Sequence, residues 1–330
     1  MERGVADSAL RLTFAIADYS HTAALKKGDV RFEGIEPLFV DVKPQIAAYR
    51  RMVREVEFDV CELAPTTYII ARAHNAPFVA LPIFVMRRFH HAGLLVRPDA
   101  AITMPKDLEG KQVGVRAYSV TTGVWTRAIL ADEYGLDCSR VTWVVDDEEH
   151  VRELKLPGNV VHAPAGRSLA DMMAAGELQA GFDANAGIGR AGPPVANWEK
   201  TPVPAAHYPD LFADPEPLEA DSYRRTGIYP MHGTIVVKDS VLKQHPWVAG
   251  SIAAAFQTAK TRWLAKLKAG VAETAADHKY LALSKIVGSD PLPYGLKVNL
   301  PTINALIAAA HDQKLTPRRM TIDELFVDPA

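Results

Sequence analysis

The sequence predicts an α/β protein with two domains, in which mostly parallel sheets are covered by helices. Short apolar runs, such as residues 10–17 and 58–63, alternate with amphipathic helical stretches, and this alternation is typical of the fold class. The 330 residues exceed the length of one ordinary domain, and 48% of them are hydrophobic. A chain of this size can therefore bury a large core without disulfides or metal.

Charge and hydropathy exclude several classes of partner. The net charge is −2 and the basic residues are scattered, so we expect no nucleic-acid partner. No run of about 18 apolar residues occurs, so we expect no membrane span. Arg11 and Thr13 interrupt the first apolar run, which therefore predicts a strand rather than a secretory signal. On this basis we expect a cytoplasmic protein.

The elements in the first half follow from periodicity and end signals. After the strand at 10–17, a helix presents Ile46, Tyr49, Val53 and Val56 on one face, and the strand 58–63 follows. Residues 112–116 predict another strand and 117–120 a loop. Thr121 or Thr122 then caps a helix that runs through residue 134 and stops at Gly135.

The second half contains further helices and one irregular segment. Ser168 with Asp171 begins a helix that ends at Gly176, before a strand at 179–183. A long helix begins near Pro246 and ends at Gly270, and another opens at Pro301. Between the strand at 179–183 and the long helix, residues 184–222 contain seven prolines and little periodicity, which predicts a functional loop, a lid or disorder.

Two suggestive motifs are better explained by structure than by chemistry. Residues 187–192 match GxGxxG, but Pro193 and Pro194 follow at once and no acidic residue ends a second strand about 20 residues later, so we do not expect a dinucleotide site. The acidic run 146–150 predicts a solvated helix start rather than a metal site. The two cysteines form no CxxC pair, and Cys61 lies in an apolar run that predicts a buried strand thiol.

Polar residues recur where strands end and helices begin, which is where α/β sheets bind ligands. His21, His91 and His232 stand at such positions together with arginine and tyrosine. This combination suits an anionic aromatic ligand. The segments are 18–21, Glu62, 87–91, 118–122 and 224–232.

Several of these segments resemble the 4,5-dihydroxyphthalate decarboxylase family. The resemblance is carried by DYxH at 18–21, FDVCEL at 58–63, RxFxH at 87–91, DLxGKxVGV at 107–115, RRTGIYP at 224–230, HPWVA at 245–249 and PYG at 293–295. It extends from about residue 10 to 327. His90 stands where the family usually has arginine.

The resemblance implies a two-lobed, type 2 periplasmic-binding-protein-like fold with a ligand cleft between the lobes. Residues 1–96 and 235–330 would form lobe 1. Residues 97–234, including the proline-rich segment 184–222, would form lobe 2. The implied partner is a small aromatic or organic carboxylate, and an assembly of identical chains is left open.

The resemblance also implies non-oxidative decarboxylation of a hydroxylated aromatic acid, either 4,5-dihydroxyphthalate or a close relative. Arg87 and Arg225 would clamp carboxylate, His91 would donate the proton, and His21 or Glu62 would act as base on the ring hydroxyl. Further substrate contacts are expected from Tyr118, Thr121, Thr122, Trp125, Tyr229 and His232.

No cofactor is expected, although a divalent metal held by His21, Glu62, His91 and His232 is an open alternative. A second function is also open: the cleft could bind a small organic anion without chemistry, as a transport receptor or sensor. A pyrimidine- or thiamine-precursor protein of the same fold is disfavoured, because that branch relies on a cysteine- and histidine-rich site.

Overall fold

The computed structural model describes residues 9–189 and 207–329, and within them the strands form two five-stranded sheets. In chain order the strands are β1 (Leu10–Ala15), β2 (Ile35–Phe39), β3 (Val60–Leu63), β4 (Phe78–Arg87), β5 (Leu94–Val96), β6 (Gln112–Gly114), β7 (Thr142–Val145), β8 (Val160–His162), β9 (Ala180–Phe182) and β10 (Met231–Lys238).

The first sheet has the order β2-β1-β3-β10-β4. Strand β1 pairs in parallel with β2 and β3, whereas β10 runs antiparallel to both β3 and β4. Strand β10, although it follows the whole second sheet in sequence, therefore lies between β3 and β4 in the first sheet.

The second sheet has the order β5-β9-β6-β7-β8 and is parallel except for β5, which runs antiparallel to β9. The chain crosses between the sheets after β4 and again before β10. The lobe boundaries at 96/97 and 234/235 remain a prediction.

The helices cover both sheets, and none in the described ranges is both long and apolar enough to cross a lipid bilayer. They are α1 (Ala23–Lys26), α2 (Gln45–Glu55), α3 (Pro65–Ala73), α4 (Thr121–Tyr134), α5 (Leu169–Ala174), α6 (Pro215–Thr226), α7 (Asp239–Gln244), α8 (Val248–Lys268), α9 (Ala275–Val287), α10 (Leu300–Asp312) and α11 (Ile322–Leu325).

Three helices join the two halves of the molecule. Helix α10 packs on both α3 and α4, and α3 also contacts α4. At the start of these helices the Thr66 and Thr121 hydroxyls lie 2.6 Å apart, and the Thr66 hydroxyl also donates to the Ser119 carbonyl at 2.8 Å. The beginnings of α3 and α4 are thus held against each other, between the two sheets.

Most predicted elements are present, with ends shifted by a few residues. Gly135 ends α4 in the left-handed conformation at φ 67°, and the Ser168 hydroxyl accepts a bond from the Asp171 N–H at the start of α5. The predicted cap of α4 is wrong, because Val120 is the cap residue and both threonines lie in the first turn.

The extent of the irregular segment 184–222 is also wrong. Its last residues begin α6, where Pro215 occupies the first turn and loses no hydrogen bond there. Residues 190–206 of that segment, and with them the end of the glycine motif, lie outside the described residues. At Gly187 a Cβ atom would come within 2.4 Å of the Phe182 carbonyl oxygen, so close packing accounts for this glycine.

The acidic run 146–150 is not a solvated helix start. Asp147 is 6% exposed and accepts bonds from Arg116 and Arg50. Glu149 accepts bonds from the backbone N–H groups of Tyr118 and Ser119 and from the Ser119 hydroxyl. The run therefore anchors the loop that leads into α4.

Candidate functional site

A cavity of about 680 Å³ lies between the two sheets. Ligand cavities for small molecules have volumes of about 300–1,000 Å³. The residues that line it come from both halves of the molecule: the beginnings of α2, α3 and α4, the chain after β4 and β9, and β10. Its polar lining includes Gln45, Tyr49, Thr67, Arg88, His90, Arg116, Ser119, Thr121, Thr122, His150, Asp183, Asn185, Asp210 and His232.

Three helices point their N-termini at this cavity. Pro44 and Gln45 line it at the start of α2, Ala64 before α3, and Val120 before α4. No side chain caps any of these three helix starts. Free N–H groups and the positive end of the helix dipole favour negative charge, so three of them together favour an anionic ligand.

Two arginines line this cavity, and Arg116 pairs with Asp147, so Arg88 is the candidate ligand contact. Its side chain is exposed, and its guanidinium donates to the Thr122 hydroxyl at 2.8 Å and lies 3.5 Å from Nε2 of His232. These contacts join residues that follow β4 to the first turn of α4. Among the described residues no carboxylate forms an ion pair with Arg88, which leaves its charge available to a ligand.

Two histidines stand beside Arg88. The rings of His90 and His232 stack with centroids 5.4 Å apart, and His90 is 1% exposed. Burial, together with the Arg88 charge, lowers the pKa of both imidazoles well below the ordinary value. Both rings are therefore neutral near pH 7 and can accept a proton.

Glu62 lies behind the cavity wall rather than in it. The side chain is fully buried at the end of β3, and one of its oxygens accepts a hydrogen bond from the Tyr49 hydroxyl at 2.9 Å. Tyr49 lines the cavity, so it stands between the carboxylate and any ligand. Burial raises the pKa of Glu62.

The structure brings Thr121, Thr122 and His232 together in this cavity, as predicted. It does not bring Arg87 there. Arg87 is 2% exposed, and its guanidinium donates to the Tyr229 carbonyl at 2.6 Å and to the Asn299 side chain. Arg87 is the last residue of β4 and Arg88 follows it, and adjacent side chains of an extended chain point in opposite directions; here Arg88 lines the cavity and Arg87 lies in the interior.

The predicted proton donor, His91, does not line the cavity either. Its ring is buried away from the cavity, with Nε2 3.9 Å from a carboxylate oxygen of Glu133, while His90 lines the cavity. Arg225 is not in the cavity either. It lies on the surface of α6 and pairs with Glu133 at 2.6 Å and Asp221 at 2.7 Å.

Three predicted aromatic walls pack in the core instead. Tyr118 is 3% exposed and lies under the Arg127 guanidinium at 3.9 Å. Trp125 is 2% exposed and donates from Nε1 to the Met231 carbonyl at 2.9 Å. Tyr229 is buried beside Phe89, with ring centroids 5.2 Å apart. Their indole and phenol rings stabilise the protein around the cavity rather than facing a ligand.

His21 belongs to a different cavity, on the other side of the first sheet. Its ring stacks on Tyr19 with centroids 5.0 Å apart, and burial lowers its pKa to about 3. The four proposed metal ligands are thus separated. In the part of the chain that the structure describes, no group of three or more His, Cys, Asp or Glu side chains is arranged to hold a metal ion.

Sequence reasoning missed Arg88, His90, Tyr49 and Gln45 as cavity residues. The alternation of β4 could have shown that Arg87 and Arg88 lie on opposite faces, though not which face meets the cavity. His90 also carried a signal, since it is a position at which the chain departs from the family pattern.

Comparison with known proteins places this geometry in a family. The chain is 32% identical to the 4,5-dihydroxyphthalate decarboxylase of Comamonas testosteroni over 335 residues, which cover 97% of both chains. It is 33% identical to the protein of the same name from Pseudomonas putida, over 65% of this chain and 82% of that one.

The fold is shared with binding proteins. A family described as the periplasmic substrate-binding protein of a phosphonate ABC transporter matches residues 37–186. The aliphatic sulphonate binding protein SsuA of Escherichia coli superposes with a TM-score of 0.55 at 13% identity, covering 98% of this chain and 93% of that one. The desulfurization enzyme DSZB has a TM-score of 0.52 at 13% identity, covering 97% and 96%.

The two-lobed periplasmic-binding-protein fold is therefore present, with the cavity in its interlobe cleft. The alignment with the Comamonas testosteroni protein covers nearly all of both chains, so this chain belongs to the 4,5-dihydroxyphthalate decarboxylase family.

Proposed function

We propose that the protein removes CO₂ from a hydroxylated aromatic carboxylic acid, namely 4,5-dihydroxyphthalate or a close relative. The observation that carries this proposal is the convergence of three uncapped helix N-termini and the guanidinium of Arg88 on one cavity with two neutral imidazoles. The names of both curated relatives support the same reaction.

Arg88 and the start of α4 bind the carboxylate. A guanidinium holds a carboxylate through two parallel hydrogen bonds, and free N–H groups at a helix start add to that attraction. The Thr122 hydroxyl orients Arg88 from the opposite lobe, which ties ligand binding to closure of the cleft. The site thus selects anions before any chemistry occurs.

His90 and His232 accept the proton of a ring hydroxyl that lies ortho or para to the carboxylate. Loss of that proton pushes electrons into the ring, and the carbon that bears the carboxylate then takes up a proton. The C–C bond breaks, its electron pair restores the aromatic ring, and CO₂ leaves. Burial keeps both imidazoles neutral near pH 7, which is the form that a base requires.

The test is a turnover assay with the purified protein and a panel of acids. 4,5-Dihydroxyphthalate and related hydroxybenzoates are expected to lose ultraviolet absorbance and to release CO₂ in equal amounts. Phthalate has no ring hydroxyl, so it should bind without turnover and serves as the matched control. Thermal stabilisation by one acid with no turnover across the panel would instead favour a solute-binding protein.

A further inference from the structure

Glu62 is a buried carboxylate bridged to two tyrosines. Its Oε1 atom accepts hydrogen bonds from the hydroxyls of Tyr19 at 2.7 Å and Tyr49 at 2.9 Å. Its Oε2 atom accepts a bond from the Ala17 N–H at 3.0 Å. No atom of Glu62 is exposed, so these phenols are its connection to anything outside the core.

The two tyrosines belong to different cavities. Tyr49 lines the interlobe cavity described above. Tyr19 lines a second cavity of about 900 Å³, formed by α1, α8 and α9 on the other side of the first sheet. Lys266 and Glu273 line that second cavity with side chains that are 63% and 65% exposed, so water reaches its rim.

Space for this arrangement is left at Gly233, the residue of β10 that lies beside Glu62. A Cβ atom at this position would come within 3.0 Å of Oε1 of Glu62 and within 3.0 Å of a methyl group of Val85. Any larger residue would displace the carboxylate or its neighbours. The sheet therefore has room for the bridge between Glu62 and the two tyrosines because β10 carries a glycine at this position.

Decarboxylation of an aromatic acid consumes one proton in each turnover, because the carboxylate leaves as CO₂ and a hydrogen takes its place. The proton that a cleft imidazole takes from the ring hydroxyl returns to the phenolate oxygen of the product, so the proton that enters the ring at carbon comes from another group. Burial raises the pKa of Glu62, which favours the protonated carboxyl. A hydroxyl can donate and accept at once, so the tyrosines can pass a proton through Glu62.

We propose that Tyr19, Glu62 and Tyr49 form a proton relay from the second cavity to the interlobe cavity, which supplies the proton consumed in decarboxylation. Tyr49 gives its hydroxyl proton to the ring carbon that loses CO₂ while the protonated carboxyl of Glu62 donates its own proton to the Tyr49 oxygen, so no phenolate is left in the core. Tyr19 then restores the proton of Glu62 and takes one from water in the second cavity. The proposal rests on the proposed function, since a binding protein needs no such proton.

The test follows the first and later turnovers of the full-length protein with 4,5-dihydroxyphthalate, by rapid mixing. Tyr19→Phe removes the outer hydroxyl only, so the stored proton remains for one turnover. We expect a burst of one product per site at the wild-type rate, followed by a kcat about 100-fold lower with an unchanged KM. Added imidazole buffer should restore the later turnovers.

Glu62→Gln should slow the first turnover as well, because the stored proton is absent. Tyr294→Phe is the matched control, since its buried hydroxyl has no hydrogen-bond partner among the described residues and lies outside the relay, so the change should leave kcat unchanged. Wild-type kcat in both relay variants would refute the relay and leave the proposed function intact. A first turnover in Tyr19→Phe as slow as later ones would also refute it. Absence of wild-type turnover across the panel would overturn both proposals.

Discussion

Arg87 and Arg88 are adjacent in the chain, but their side chains lie in two different environments. Arg87 is enclosed by the Tyr229 carbonyl, the Pro293 carbonyl and the Asn299 side chain, with its guanidinium over the rings of Phe84 and Tyr229. Arg88 contacts a hydroxyl and an imidazole at the edge of an open cavity. The protein thus satisfies one arginine internally and leaves the other for a ligand.

The comparison teaches how to separate a structural arginine from a binding one. Both are arginines at the end of β4, Arg87 as its last residue and Arg88 as the next residue along the chain. The difference lies in the acceptors that surround each guanidinium: both terminal nitrogens of Arg87 already donate to groups in the core, whereas Arg88 donates to the Thr122 hydroxyl at the cavity. The three predictions below test this distinction, from the largest expected effect to the smallest.

Arg88→Met should break catalysis while sparing the fold. Loss of a charge that pairs with a desolvated ligand group costs about 2–5 kcal/mol, so kcat/KM with 4,5-dihydroxyphthalate should fall about 100-fold or more. The free energy of unfolding should fall by only about 1 kcal/mol, because the Thr122 hydroxyl alone loses a hydrogen bond from Arg88. Steady-state kinetics and urea unfolding measure the two quantities. An Arg88 variant with normal kcat/KM would contradict the assignment of the clamp.

Arg87→Met should destabilise the fold and leave catalysis largely intact. The change removes three hydrogen bonds from the core and leaves the amide oxygen of Asn299 without its donor, so the free energy of unfolding should fall by about 3 kcal/mol. The fraction that remains folded should keep its kcat/KM within a few-fold. Urea unfolding followed by circular dichroism tests the first part. Loss of activity greater than the loss of folded protein would place Arg87 in the site after all.

The pH dependence of stability should report on the cleft. The pKa of His90 lies well below 6.5 in the folded protein but near 6.5 in the unfolded chain, so the unfolded chain binds more protons below pH 6.5. Stability is therefore complete above pH 6.5 and is lost as the pH falls. His90→Asn should reduce this slope by up to about 1.4 kcal/mol per pH unit.

Urea unfolding at several pH values between 4.5 and 7.5 measures that slope. Replacement of the exposed His278 by asparagine is the control and should leave the slope as it is in the wild type. Arg88→Met should also flatten the slope, because the Arg88 charge helps to lower the pKa of His90. Equal slopes in the wild type and in His90→Asn would show that this imidazole titrates normally.

Local sequence signals were enough for most of the secondary structure. The break at Gly135 and the cap at Ser168 depend on a few neighbouring residues, and the structure confirms both. Pro246 lies just before Trp247, the cap residue of α8, and not in the first turn of that helix as predicted. The prediction of irregular structure was wrong at the end of the proline-rich segment, because Pro215 is as compatible with the first turn of a helix as with a loop. The acidic run misled because the partners of Asp147 and Glu149 are far away in sequence.

The sequence by itself determined the α/β class, the order of its elements and, through motifs spread along the chain, the family. Only the tertiary structure decided which polar residues meet in the cleft. The side chains of Arg87, at the end of β4, and of Arg88, just after it, point in opposite directions. Which of them faces the cleft depends on the pairing of β4 with β10, more than 140 residues later. That pairing is a long-range contact, and no local pattern around residues 87–91 contains it.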